Sequence, residues 1–132
     1  MSDELEFDLA SYKERVSEYI DKLAGEATNG MIPYPAVVAE YRYTQNEVAL
    51  WREAGSDPDN VPSCLYSWID ASGKSADDAA TDIESSAAAY KEALEAIRSI
   101  RLHAKAEVRS ASSKAEVEAV MVRSRDELGA LS

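Results

Sequence analysis

The single histidine and the single cysteine limit the catalytic and metal chemistry that this chain can carry. His103 stands four residues before Glu107, so the two side chains would share one face of a helix. One His and one carboxylate are fewer than the roughly three or four protein ligands of a zinc site, and they do not complete a catalytic triad. Cys64 follows Pro62 and Ser63 at a predicted helix start, where the helix dipole could lower a thiol pKa, although a lone Cys is more often a small buried hydrophobe. We therefore predict a protein that is not an enzyme and has no metal site and no cofactor.

Two other short motifs point to turns rather than to ligands. Asp57, Asp59 and Asn60 crowd one loop, but the central Gly and distal Glu of a calcium-binding EF-hand are missing. The Gly-Lys-Ser sequence at 73–75 matches the end of a nucleotide-binding P-loop, but it lacks the earlier glycine and follows no predicted strand. Asp, Asn and Pro favour local turns, so we expect the segment around Asp57, Asp59 and Asn60 to be a structural loop.

The distribution of glycine and proline predicts an all-α fold. These residues punctuate the first half of the chain, and only Gly129 follows residue 74. No useful stretch has the period-two alternation of a strand. We predict an elongated helical bundle with one long helix in the C-terminal half, divided into an N-terminal heptad helix at 1–25 and a helical domain at 26–132. The predicted helices of that domain are 35–54, 63–72, 75–110 and 113–129.

Two heptad seams run along these helices. The first helix has apolar residues spaced 4, 3, 4, 3, 4 and closes at Gly25; they are Leu5, Leu9, Tyr12, Val16, Tyr19 and Leu23. The long helix has a second seam, interrupted only by Arg101: Ile83, Ala87, Tyr90, Leu94, Ile97, Arg101, Ala104 and Val108. Ser75 is its expected N-cap, and Ser113 with Glu116 forms a capping-box pattern for a last helix, which either continues the long helix or turns back.

Helix length raises the question of what covers the seams. A helix of roughly 35 residues is about 50 Å long, whereas a compact chain of this size has a radius of gyration of about 14 Å. The helix must extend beyond a compact monomer, kink, or bury its seam against another chain. A homo-oligomer such as a trimer is one of these alternatives.

The charges are strongly polarised. The chain has 25 acidic and 14 basic residues, and the net charge is -13 before residue 98 and +2 after it. Arg98, Arg101, Lys105 and Arg109 form one stripe on the long helix, which is either a solvated face that pairs with the acidic first helix or a site for an acidic partner. The overall negative charge disfavours direct binding to nucleic acid or to an anionic membrane. We also find no apolar run long enough to span a membrane.

The aromatic residues concentrate between positions 34 and 68. We predict that Trp51 and Trp68 pack in the core, because they lie near the inward faces of their helices. Tyr43 and Tyr66 lie off those faces, and tyrosine is well suited to a partner surface. The complete set of predicted partner-binding residues is Tyr43, Tyr66, Leu5, Leu9, Tyr12, Val16, Arg98, Lys105 and Arg109.

The order of features from Tyr41 to Arg109 resembles a known helical module. The residues that carry the resemblance are Tyr41-Arg42, Glu47, Trp51, Ala54-Gly55, Val61-Pro62, Trp68-Ile69, Ala79-Ala80, Ile83, Ala88-Ala89-Tyr90, Leu94, Ile97-Arg98, Arg101-Leu102, Ala104-Lys105 and Val108-Arg109. This pattern is similar to that of tail-fibre proteins and tail-fibre assembly proteins of tailed bacteriophages. Pro62, Trp68 and the basic helix after them are its most distinctive part.

The resemblance implies a non-enzymatic structural or assembly role, as a chaperone or adaptor that binds tail-fibre or other tail proteins through helical contacts. It would place the protein in the host bacterial cytoplasm during assembly, or in the virion tail. The alternative is a small acidic phage-encoded inhibitor that mimics nucleic-acid charge. The acidic stretches at 3–26 and 77–95 favour that alternative, and strong salt dependence of binding would distinguish it.

Overall fold

A computed structural model of the chain describes residues 7–31 and 35–131, with side chains from 39 onward in the second range. Those residues form helices and connecting turns and include no strand, which confirms the all-α prediction. The long helix is confirmed as well, because it has 35 residues. In chain order the helices are α1 (Leu9–Met31), α2 (Pro35–Glu53), α3 (Ser63–Ser72), α4 (Ala76–Ser110) and α5 (Lys114–Gly129).

The bounds of α2 to α5 lie within one residue of the predicted ones, whereas α1 differs at both ends. Phe7 and Asp8 precede the helix, and the Asp8 carboxylate accepts a hydrogen bond from the Ser11 backbone N–H at 3.2 Å. At the other end, α1 passes through Gly25 and continues to Met31, so the predicted stop at Gly25 is wrong. Ala24 and Ala27 are buried on either side of Gly25. Their packing outweighs the cost of about 1 kcal/mol that a glycine imposes inside a helix.

The chain divides into two compact units. The α1–α5 unit consists of the described residues of Met1–Pro33 and Ala93–Ser132, and the α2–α3 unit is Tyr34–Glu92. Helix α4 contributes its first half to the α2–α3 unit and its second half to the α1–α5 unit. This division differs from the predicted boundary after residue 25, because α1 packs with residues from the far end of the chain.

The α1–α5 unit has two clusters of buried residues. One contains Val16, Ile20, Ala104, Val108, Ala111, Val117 and Val120. The other contains Ala24, Ala27, Ile97 and Leu128. Helices α1, α4 and α5 each contribute residues to both clusters. Ala111, the one remaining member, lies in the turn before α5. The last helix therefore turns back to pack in the same core as the long helix.

Local hydrogen bonds start the last helix where the sequence predicts. The Ser113 hydroxyl accepts a hydrogen bond from the Glu116 N–H at 3.2 Å, which confirms Ser113 as the N-cap. The Glu116 carboxylate accepts from the backbone N–H of Ser112 at 2.7 Å, one residue before the position used in a capping box.

The core of the α2–α3 unit is smaller and depends on one tryptophan. Its buried residues are Val48, Trp51, Leu65, Ala79 and Ala80. The Trp51 indole N–H donates a 2.9 Å hydrogen bond to the backbone oxygen of Asp57, which holds the loop between α2 and α3 against this core. The prediction that Trp51 is buried is confirmed.

That loop is built by turn chemistry. Gly55 and Ser56 both have positive φ, 101° and 56°. The Asp57 carboxylate accepts hydrogen bonds of 2.9 Å from the Asp59 backbone N–H and from the Asn60 side-chain amide. These two bonds lower the pKa of Asp57, the backbone bond contributing more. The carboxylate that a calcium site would need is occupied by local N–H groups, as a structural turn requires.

Arg52 connects α2 to the first half of α4. Its guanidinium pairs with Asp77, bonds the Glu84 carboxylate at 3.1 Å and donates to the Thr81 hydroxyl at 3.0 Å. The two carboxylates raise the pKa of Arg52, with the Asp77 hydrogen bond as the largest cause and the Glu84 hydrogen bond next.

Candidate functional site

The first-helix seam lies in a core rather than on a binding surface. Val16 is only 3% exposed and packs in the first cluster of the α1–α5 unit, with Leu9 and Tyr12 partly buried against it. Val16 is therefore wrong as a partner contact, because its side chain is already covered within the chain. Leu5, which the seam also includes, lies outside the described residues.

Two members of the basic stripe are engaged within the α1–α5 unit. Lys105 Nζ lies 2.9 Å from an Asp21 carboxylate oxygen, and Arg101 lies 3.3 Å from the same carboxyl group. The Lys105 hydrogen bond is the main cause that lowers the pKa of Asp21. Lys105 pairs with the first helix, as one of the two interpretations of the stripe predicts, and its role as a partner contact stays a prediction. Arg98 and Arg109 are exposed.

His103 contacts the backbone of its own helix, and Cys64 packs against the core of the α2–α3 unit. His103 Nδ1 lies 2.8 Å from the backbone oxygen of Ser99, while Glu107 pairs with Arg123 at 2.5 Å instead of with the histidine. Burial, and then the negative charge of Glu47, raise the pKa of the Cys64 thiol, which opposes a reactive thiolate. In the described residues, no cluster of His, Cys, Asp and Glu has the arrangement to hold a metal ion.

The α2–α3 unit exposes several large side chains. Tyr43 is 58% exposed and Tyr66 is 54% exposed, so the prediction that both lie outside the core is confirmed. Leu50 is 59% exposed as well. Its exposure was not predicted, although it stands seven residues after Tyr43 on the same face of α2. Trp68 is 45% exposed, and its predicted place in the core is wrong. Leu65 is buried in this core instead, and Cys64 and Ile69 of the same helix pack partly buried against it.

Trp68 forms part of the wall of a cleft of about 300 Å³ within the α2–α3 unit. We call this site the Trp68 cleft. Its wall is mostly apolar surface, and one of its members, Tyr41, packs its ring 6.0 Å from that of Tyr90. The lining residues are Glu40, Tyr41, Thr44, Cys64, Ser67, Trp68, Asp82, Ile83 and Ser86.

The ionisable groups of the Trp68 cleft favour a positive ligand. Among the described residues its lining includes Glu40 and Asp82 and no Lys, Arg or His. Lys74 Nζ donates a 2.5 Å hydrogen bond to Asp82, and this bond is the largest cause that lowers the pKa of Asp82; a hydrogen bond from Trp68 contributes in the same direction. Asp82 is therefore ionised at neutral pH.

The charge of the surrounding unit has the same sign. Residues 34–92 include eleven acidic and four basic residues, and two of the four, Arg52 and Lys74, are engaged in ion pairs with acids of α4. The unit therefore combines exposed aromatic side chains with an excess of negative charge.

No helix in the part of the chain that the structure describes has the length and apolar character to cross a bilayer. Comparison with protein-family models, curated proteins and solved structures gives no match to this chain.

Proposed function

We propose that this chain is a non-enzymatic helical adaptor or assembly protein that binds its partner through the outer surface of the α2–α3 unit. The observation that carries the proposal is the exposure of Tyr43, Leu50 and Tyr66, each more than half exposed on a unit whose core is already filled by Trp51 and Leu65. Tyrosine provides large contact area at low cost in conformational entropy, and it is enriched where interfaces bind most strongly.

A tail-fibre protein or another phage tail protein is the partner class that we propose. The support is the resemblance to tail-fibre and tail-fibre assembly proteins, which begins at Tyr41 and includes Pro62 and Trp68 in the α2–α3 unit. The protein would act in the host bacterial cytoplasm during assembly or remain in the virion tail. Val16 and Val108 are buried within one chain. This burial favours an adaptor that works as a single copy, rather than a structural piece of a symmetric fibre.

The test is binding of the purified chain to a co-expressed tail-fibre protein, measured by calorimetry. Tyr43→Ala and Tyr66→Ala should each weaken binding by about five- to thirtyfold, since truncation of an interface tyrosine typically costs about 1–2 kcal/mol. Thermal unfolding of both variants should stay close to that of the parent, because surface substitutions usually change stability by about 0.5 kcal/mol or less.

Leu102→Ala is the matched control, since Leu102 is 43% exposed but belongs to the α1–α5 unit. Its affinity should equal that of the parent. Equal loss of affinity in Leu102→Ala, or unfolding of the tyrosine variants, would contradict the proposed surface.

The charge of the α2–α3 unit favours a second candidate, an acidic inhibitor that mimics nucleic acid. Eight of its eleven acids lie outside the ion pairs of Arg52 and Lys74. Binding to a nucleic-acid enzyme should then fall steeply as salt rises, because exposed charges are screened, whereas tyrosine-mediated binding should change little. Binding to such an enzyme that high salt leaves unchanged would remove this candidate.

A further inference from the structure

We propose that the Trp68 cleft is a binding site for an arginine side chain presented by the partner protein. The inference rests on the proposed function, because it names the chemistry by which a partner would engage the α2–α3 unit. The proposed ligand is a cationic side chain with an apolar stem. The cleft has an apolar surface for the stem and an acidic residue for the charged end.

The apolar stem has a surface to cover. Trp68 is 45% exposed in a cleft whose wall is mostly apolar, and tryptophan is one of the residues that contribute most to binding when a partner covers them. A volume of about 300 Å³ lies at the lower end of typical ligand pockets, which suits one long side chain rather than a larger molecule.

The charged end of the side chain has complementary groups. Glu40 and Asp82 are the acidic residues among the described lining residues, and the surrounding unit has an excess of negative charge. Asp82 is already paired with Lys74 Nζ at 2.5 Å, so Glu40 is the carboxylate that we assign to the guanidinium. Ser67 and Ser86 also line the cleft, and a serine hydroxyl can accept a hydrogen bond.

Arginine fits this combination better than lysine does. Its guanidinium is planar, stacks on an indole face and directs five N–H donors outward, whereas an ammonium is a compact and strongly hydrated charge. The exposed indole of Trp68 provides the stacking surface, and Glu40 in the same lining provides a carboxylate for those donors.

The probe is N-acetyl-arginine amide, titrated into the isotopically labelled full chain at constant ionic strength and followed by amide chemical shifts. The matched control is N-acetyl-citrulline amide, which has nearly the same shape but no charge. We expect weak millimolar binding that shifts the amides of 64–68 and 82–86, with citrulline about tenfold weaker. Alkylation of Cys64, the only cysteine and a lining residue, should slow when the arginine amide is bound.

Variants assign the binding to the cleft. Glu40→Gln and Trp68→Ala should each weaken binding of the arginine amide several-fold, whereas Glu92→Gln, which removes a carboxylate elsewhere in the same unit, should not. Glu40→Gln tests the site even if Trp68→Ala folds poorly. Equal affinity for the citrulline amide, shifts that map outside the cleft, or unchanged binding by Glu40→Gln would overturn the inference.

Failure here and failure of the proposed function give different results. If the arginine amide does not bind while Tyr43→Ala still weakens binding of the tail-fibre protein, the cleft inference is wrong and the adaptor surface stands. If the arginine amide binds as expected but the tail-fibre protein binds neither the parent nor the variants, the proposed partner is wrong.

Discussion

The two units use their apolar residues in opposite ways. The α1–α5 unit buries its regularly spaced residues, such as Val16, Ile20 and Val108, and pairs basic side chains of α4 with Asp21 of α1. The α2–α3 unit has a small core and leaves Tyr43, Leu50, Tyr66 and Trp68 exposed on an acidic surface. Heptad spacing coincides with burial in the α1–α5 unit, whereas large side chains that lie off the seams stay exposed in the α2–α3 unit.

The two tryptophans of the α2–α3 unit provide the strongest test of this contrast. Trp51→Ala should lower the free energy of unfolding by about 3–5 kcal/mol, because it leaves a cavity beside Leu65. It also removes the hydrogen bond that holds the loop at Asp57. Trp68→Ala should cost about 1 kcal/mol or less, since this side chain is half exposed. Urea unfolding followed by circular dichroism measures both.

The sequence alone would predict equal damage from the two tryptophan substitutions, because both residues lie near an apolar face. A loss of 3 kcal/mol or more in Trp68→Ala would show that its indole supports the core. Trp51→Phe is the milder companion variant, since it keeps most of the ring volume and loses the indole N–H.

The seam of the α1–α5 unit should prove internal to one chain. Ile20→Ala should destabilise the protein by about 2–5 kcal/mol, because Ile20 is fully buried among residues of α4 and α5. The unfolding midpoint of the parent chain should not change with protein concentration. A midpoint that rises with concentration would show instead that a second chain completes this core.

Asp21 should give the smallest effect and a defined pH dependence. Asp21→Asn should cost at most about 1 kcal/mol at neutral pH, since its ion pairs with Arg101 and Lys105 are partly exposed and therefore screened. The pKa of Asp21 is lowered in the folded chain, so the unfolded chain binds a proton more readily. The stabilisation is present above the ordinary carboxyl pKa of 3.8 and is lost as the pH falls through the lowered folded value.

Unfolding of the parent and of Asp21→Asn should therefore converge in strong acid. Glu18→Gln, an exposed position on the same helix, is the control and should leave the pH dependence nearly unchanged. A difference between Asp21→Asn and the parent that persists at the lowest pH would mean that packing, not charge, accounts for the effect.

The sequence predicted the helices well because their signals are local. Ser75 and Ser113 cap the helices that follow them, and Gly73 ends α3 in the left-handed conformation that glycine tolerates. The seam of α4 could also be predicted, since Ile97, Ala104 and Val108 are all buried.

The remaining errors concern what packs against a helix, which local spacing does not encode. The seam at Val16 has the same periodicity whether its partner is α4 of the same chain or a helix of another. Trp68 stands one residue before Ile69 on a ten-residue helix, so a small rotation of α3 decides which of them contacts the core. The exposure of Leu50 could have been predicted from its position seven residues after Tyr43. The Trp68 cleft could not have been predicted, because residues of three helices line it.

The α2–α3 unit is one continuous stretch of the chain, whereas the α1–α5 unit is formed from two separate stretches. This difference sets an order for folding during synthesis. The α2–α3 unit is complete once residue 92 has been translated, whereas α1 must wait for α5, which ends at Gly129. At about 5–20 residues per second, that interval lasts seconds, long compared with the folding of a small helical unit. During it, the ribosome-bound chain presents α1 without its α5 contacts, so part of the apolar face of α1 is open to chaperones and to misassembly with neighbouring nascent chains.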